Sequence, residues 1–79
     1  MFDASDYGRK AVDDAIEEWV IGRNGERDRI IMRLHLFDGV TFQEMQKRLD
    51  KTGYPLSIDR LKQIINRRLP QIQKHIKNQ

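Results

Sequence analysis

Apolar residues recur at helical spacing in four stretches of the chain, separated by short runs that favour turns. From Arg9 onward, Ala11, Val12, Ala15, Ile16, Trp19 and Val20 share one face while Asp13, Asp14, Glu17 and Glu18 share another. That is the pattern of an amphipathic helix, with Trp19 as its expected core anchor. Residues 22–25 read Gly-Arg-Asn-Gly and end it, since glycine and asparagine tolerate turn conformations. A second helix follows. Asn24 is its expected N-cap, Glu26 and Asp28 lie in its first turn, and Ile30, Ile31, Leu34 and Phe37 form its inward stripe. Gly39, after Asp38, can take the positive φ that terminates a helix.

One residue later Thr41 opens a third helix. The run Thr41-Phe42-Gln43-Glu44 predicts a reciprocal capping box, the Thr41 hydroxyl accepting from the Glu44 amide and the Glu44 side chain reaching back. Phe42, Met45 and Leu49 then make a short buried stripe. The connector over residues 50–56 contains Gly53 and Pro55, and the proline pushes Tyr54 toward an extended conformation. Ser57 caps the last helix, with Asp59 in its first turn. Ile58, Leu61, Ile64, Ile65 and Leu69 face inward there, and Arg60, Lys62, Gln63, Asn66 and Arg67 face outward. Pro70 removes the bond to the Asn66 carbonyl, yet Ile72 and Ile76 continue the period beyond it. The pattern predicts a kink, or a fresh helix with Pro70 in its first turn. The fold class is therefore all-α, a small bundle of four to five helices, with residues 1–8 a flexible N-terminus and residues 9–79 one helical domain.

Composition narrows the function. With 79 residues, 38% of them hydrophobic, the chain can fill one small helical core but not also line a deep catalytic cavity. It has no cysteine, and His35 and His75 stand apart from any ligand pattern, so neither a thiolate metal site nor a cofactor is expected. No phosphate loop, nucleophile elbow or metalloprotease helix is present, so no catalytic residue can be named and no small-molecule substrate is implied. The start of the chain lacks the apolar core of a secretion signal, and no later segment approaches a membrane span; a cytoplasmic location is expected.

Charge is more informative than composition, because it is unevenly placed. Residues 1–40 carry six Arg and Lys against nine acids, and residues 41–79 carry nine against three. Basic charge gathered toward one end suits a polyanion binder, since neutralising phosphates releases counterions. A tight turn before the third helix and a donor-rich outward face on the fourth then read as a helix-turn-helix. One helix of that motif lies across the DNA backbone and the next enters the major groove. Thr41, Gln43 and Lys47 would lie near the backbone, and Ser57 would open the reading helix beside Asp59, the dissenting acid. Arg60, Lys62 and Arg67 could contact phosphate or guanine edges, while Gln63 and Asn66 could pair with adenine.

The run ERDRIIMRLHLFDGVTFQEM, followed by SIDRLKQIINRRL, resembles region four of bacterial sigma factors and the small sigma-like regulators of phages and mobile elements. The resemblance covers roughly residues 10–70. It implies a helix-turn-helix transcriptional regulator with Thr41, Phe42, Glu44 and Met45 on the supporting helix and Ser57, Ile58, Leu61 and Lys62 on the recognition helix. Gln46 stands where the family has a small residue, and the connector is longer than the family's turn. Double-stranded DNA is the expected partner, RNA polymerase a second one, and a homodimer through the apolar residues beyond Pro70 a third possibility. The rival function is a protein-interaction module that docks on RNA polymerase or an anti-sigma protein without touching DNA. RNA binding is disfavoured because no exposed aromatic platform is expected.

Overall fold

Side-chain caps fix the starts of the last two helices. A computed structural model of the chain describes residues 8–77, ordered as α1 (Arg9–Trp19), α2 (Gly25–Arg33), a π-helical turn (Leu34–Asp38), α3 (Phe42–Lys51) and α4 (Ile58–Lys77). The mobile end expected over residues 1–8 lies, apart from Gly8, outside the described residues. The fold is a small all-α bundle, as the periodicity predicts.

Thr41 caps α3 through its hydroxyl, which accepts from the Glu44 amide at 3.2 Å. Ser57 caps α4 in the same way, accepting from the Arg60 amide at 3.2 Å. The predicted box at α3 is half made: the Glu44 carboxylate turns to Arg48 one turn on, at 3.3 Å. At the other end of α3, Gly53 adopts φ 87°. Its amide donates to the Asp50 carbonyl at 3.3 Å and the Tyr54 amide to the Leu49 carbonyl at 2.9 Å, which is a full Schellman closure. Gly39 takes φ 60° and ends the π-helical turn.

α2 starts differently from expectation. Asn24 occupies the N-cap position but makes no side-chain cap bond. What shapes this corner is Gly25, which is buried: a Cβ there would lie 3.1 Å from the Val20 carbonyl oxygen and 3.2 Å from Arg29 Nη1. The Arg29 side chain donates to that same carbonyl at 3.0 Å, so α1 and α2 close tightly around a position without a side chain. The inward stripe of α2 differs from the predicted one before the π turn begins. Met32 is fully buried beside Ile31 and Leu34, while Ile30 and Phe37 are only partly covered.

The core joins Val12, Ala15, Ile16 and Val20 from α1 and its end with Ile31, Met32 and Leu34, Met45 and Leu49, and a long row from α4: Leu61, Ile64, Ile65, Ile72 and Ile76. α4 packs against α1, α2 and α3 in turn. It is a single helix with Pro70 inside it, so the restarted helix is not what forms. Burying Ile72 and Ile76 stabilises continuation by about 1.5–3 kcal/mol each, against roughly 3 kcal/mol for an interior proline. Those two isoleucines face this chain's own core. They therefore do not form the open apolar surface that a dimer through this segment would need.

Trp19 is a further correction. It is 45% exposed, because α1 ends at that residue and the ring spills over the flank of α4 onto His75 instead of entering the core. An exposed aromatic platform is therefore present, against expectation.

Ion pairs lock the helices together. Arg68 of α4 donates from Nε to Asp28 Oδ2 at 3.0 Å, and Arg27 donates to the other oxygen at 3.0 Å. Arg33 joins α2 to α1 by bonding Asp13 at 2.9 Å and also Glu17. Burial opposes the charge of Arg33, but the bonds to Asp13 and Glu17 outweigh it and raise the guanidinium's pKa. Arg48 ties α3 to Asp38 at 3.3 Å.

Candidate nucleic-acid interface

The candidate interface is built on α3 and α4, whose first turns the connector brings together. Gln46 donates from its amide nitrogen to the Leu56 carbonyl at 2.9 Å, fixing the strand of connector that leads into α4. Here the departure from the small residue of the sigma-like pattern has a physical use: the longer side chain holds the longer connector. The Lys62 ammonium lies over the Phe42 ring, 5.5 Å from its centre, so the start of α4 is beside the start of α3.

All ten residues singled out by sequence are exposed: Thr41, Gln43 and Lys47 on or beside α3, and Ser57, Asp59, Arg60, Lys62, Gln63, Asn66 and Arg67 on or beside α4. Helical spacing puts Asp59, Gln63 and Asn66 on the side opposite the buried row, with Lys62 flanking them on the side of α3 and Arg60 and Arg67 on the other. Arg60 Nη1 donates to Gln63 Oε1 at 3.3 Å, one turn apart. Lys62 is brought against α3; Lys47 lies on the outer face of α3, one turn from Gln43.

Some of the cations are tied into the fold and others are not. Arg27, Arg33, Arg48 and Arg68 are held in ion pairs. Among the described residues, none of Lys47, Arg60, Lys62 and Arg67 is in an ion pair, and Asp59 is the one acid of α4. The adjacent residues Arg67 and Arg68 fall on opposite sides of that division. Sequence reasoning gave Arg68 no role, because its partner Asp28 is forty positions away and was read only as a first-turn acid.

Serine and threonine at the caps are engaged through their oxygens, which leaves each hydroxyl hydrogen free to donate outward. His35 lies in the π-helical turn, and burial lowers its pKa. No helix of the described residues is long and apolar enough to cross a membrane. Comparison with protein-family models, with curated proteins and with solved structures finds no match to this chain.

Proposed function

We propose that this chain is a DNA-binding transcriptional regulator of the helix-turn-helix kind that sigma factor region four exemplifies, acting in the cytoplasm on double-stranded DNA. In this reading α3 lies along the phosphate backbone through Thr41, Gln43 and Lys47, and α4 enters the major groove from Ser57. Arg60, Lys62 and Arg67 supply charge; Gln63 and Asn66 supply base-edge hydrogen bonding. One observation supports the proposal: Lys47, Arg60, Lys62 and Arg67 are exposed on these two helices and, like Lys51 and Lys74 on the same helices, stand outside the ion pairs that hold the described residues together. A cation already paired loses its partner's attraction on binding phosphate, whereas a free one exchanges only water and counterions.

A single module of this size buries about 600–1,000 Å² of its surface on DNA, which limits affinity unless another protein or a second copy adds contacts. RNA polymerase is the candidate for the former. Selection of bound fragments from a random duplex pool tests the reading. Enrichment of a common sequence element, lost when Gln63 and Asn66 are replaced by Ala, is the expected result. Recovery of the starting pool unchanged at low salt would instead favour a module that docks on protein alone.

A further inference from the structure

Among the described residues, two large apolar side chains stand open to solvent, Trp19 at 45% and Ile21 at 58% exposure. They lie two positions apart where α1 ends. Beside Trp19 is a pocket of about 350 Å³ completed by Gln71, Lys74 and His75 of α4. These groups are held in place. The Trp19 indole N–H donates to His75 Nδ1, and the two rings sit 5.6 Å apart at 53°. Glu18 Oε2 is 3.5 Å from His75 Nε2. Arg68 donates to the Ile21 carbonyl at 3.1 Å and to Gln71 Oε1 at 3.4 Å, so the charged pair that locks the fold also fixes this edge. Anchors fixed in advance lose little freedom on association, and tryptophan is among the side chains that most often dominate an interface.

Charge selects the occupant. α1 presents Asp14, Glu17 and Glu18 on its exposed side; Glu17 is engaged with Arg33, and Glu18 borders the patch through His75. A single nucleic-acid strand would find a stacking face in Trp19 and a cation in Lys74, but its phosphates would meet those carboxylates. A two-fold pair of this chain would set the same acidic surface against itself. A cationic partner meets the opposite sign at Glu18, on the side of Trp19 that faces α1, with Lys74 of α4 the like charge it must avoid: a guanidinium can stack on the indole while the Glu18 carboxylate balances it.

We infer that the surface formed by Trp19, Ile21 and the α4 pocket docks a basic segment of a partner protein, with an Arg or Lys stacked on Trp19 against Glu18 and an aliphatic side chain laid on Ile21. Along α4 the pocket begins at Gln71, about 16 Å beyond Arg60 and about 6 Å, one turn, beyond Arg67, so this surface adjoins the proposed DNA face at Arg67. The inference stands apart from the DNA reading, and its test uses protein free of DNA.

Short random peptides are displayed and selected on the folded chain, with the Trp19→Ala, Ile21→Ser double variant used to remove peptides that bind elsewhere. Enriched sequences are expected to combine Arg or Lys with an aliphatic residue and, as synthetic peptides, to shift the emission of Trp19, the single tryptophan of the chain. Glu18→Lys and Ile21→Ser, both exposed, should keep the melting temperature and each weaken binding tenfold or more. Enrichment of acidic peptides, binding indifferent to Glu18→Lys, or no enrichment at all would overturn the inference. So would an emission change produced by single-stranded oligouridine, or by raising protein concentration alone, in place of the peptide response.

Discussion

Replacing Arg68 by Ala should destabilise the chain severely, while the same change at Arg67 should be nearly silent. The Arg68 and Asp28 side chains are 12% and 6% exposed. Removing one partner of a buried pair costs about 3–5 kcal/mol, because the remaining charge stays desolvated. Two features adjust that figure. Arg27 keeps its bond to the other Asp28 oxygen, which offsets part of the loss. Arg68 also holds the Ile21 carbonyl, and losing that bond adds about 0.5–1.5 kcal/mol. We expect a net loss of roughly 3 kcal/mol, which at about 4–8 °C per kcal/mol for a domain of this size lowers Tm by about 12–24 °C. A domain of 79 residues is stable by only about 4–12 kcal/mol, so a large part of the total is at stake. Thermal unfolding followed by circular dichroism on the two variants side by side is the assay, with Arg67→Ala expected within about 0.5 kcal/mol of the parent. Replacing both members, Asp28→Leu with Arg68→Met, should recover most of the loss. Equal melting temperatures for Arg67→Ala and Arg68→Ala would refute the division of these two arginines into a structural and a free one.

Other expectations follow from single features. Pro70→Ala should raise stability by about 1–2 kcal/mol, since it restores a helix donor for the Asn66 carbonyl, less the entropy that proline removes from the unfolded chain; urea unfolding measures it, and no gain would mean that α4 bends there to packing advantage. Thr41→Ala should cost about 1 kcal/mol through the lost bond to the Glu44 amide, read from the same denaturation curves. His35 gives a pH signature. Because burial lowers its folded pKa, the unfolded chain takes up the proton more readily, so stability present above about pH 6.5 should fall as pH drops toward the lower folded value and then level off. His35→Gln should flatten that part of the Tm profile.

The sequence revealed the helices and their stops well, because those depend on neighbours a few positions apart. Thr41, Ser57 and Gly39 act within one turn of themselves, and each performs the role its type and spacing predict. What the sequence did not reveal depends on contacts between distant segments. Arg67 and Arg68 are identical side chains in adjacent positions, and only the approach of Asp28 separates them. Trp19 lies on the apolar stripe by period, yet α1 stops there and leaves the ring at the rim. Pro70 signals a break by local rules, and the burial of Ile72 and Ile76 overrides it. Gln46 looked like an obstacle to close helix packing until the connector it holds was in view. All ten residues proposed for DNA contact are exposed, which follows from amphipathic spacing; that they touch DNA is a separate proposition.

Salt dependence tests that proposition most directly. Four phosphate contacts from Lys47, Arg60, Lys62 and Arg67 give a slope of log affinity on log salt of about −3.6, or roughly a 150-fold loss between 50 and 200 mM. Arg60→Glu lies in the first turn of α4, where an acid favours the helix, and Arg67→Glu lies on open surface, so both should fold as the parent does. The measurement is fluorescence anisotropy of a selected duplex across that salt range for the parent and the double variant. The account predicts steep salt dependence in the parent and loss of binding in the variant with Tm unchanged. Binding that ignores salt, or that survives both charge reversals, would contradict it.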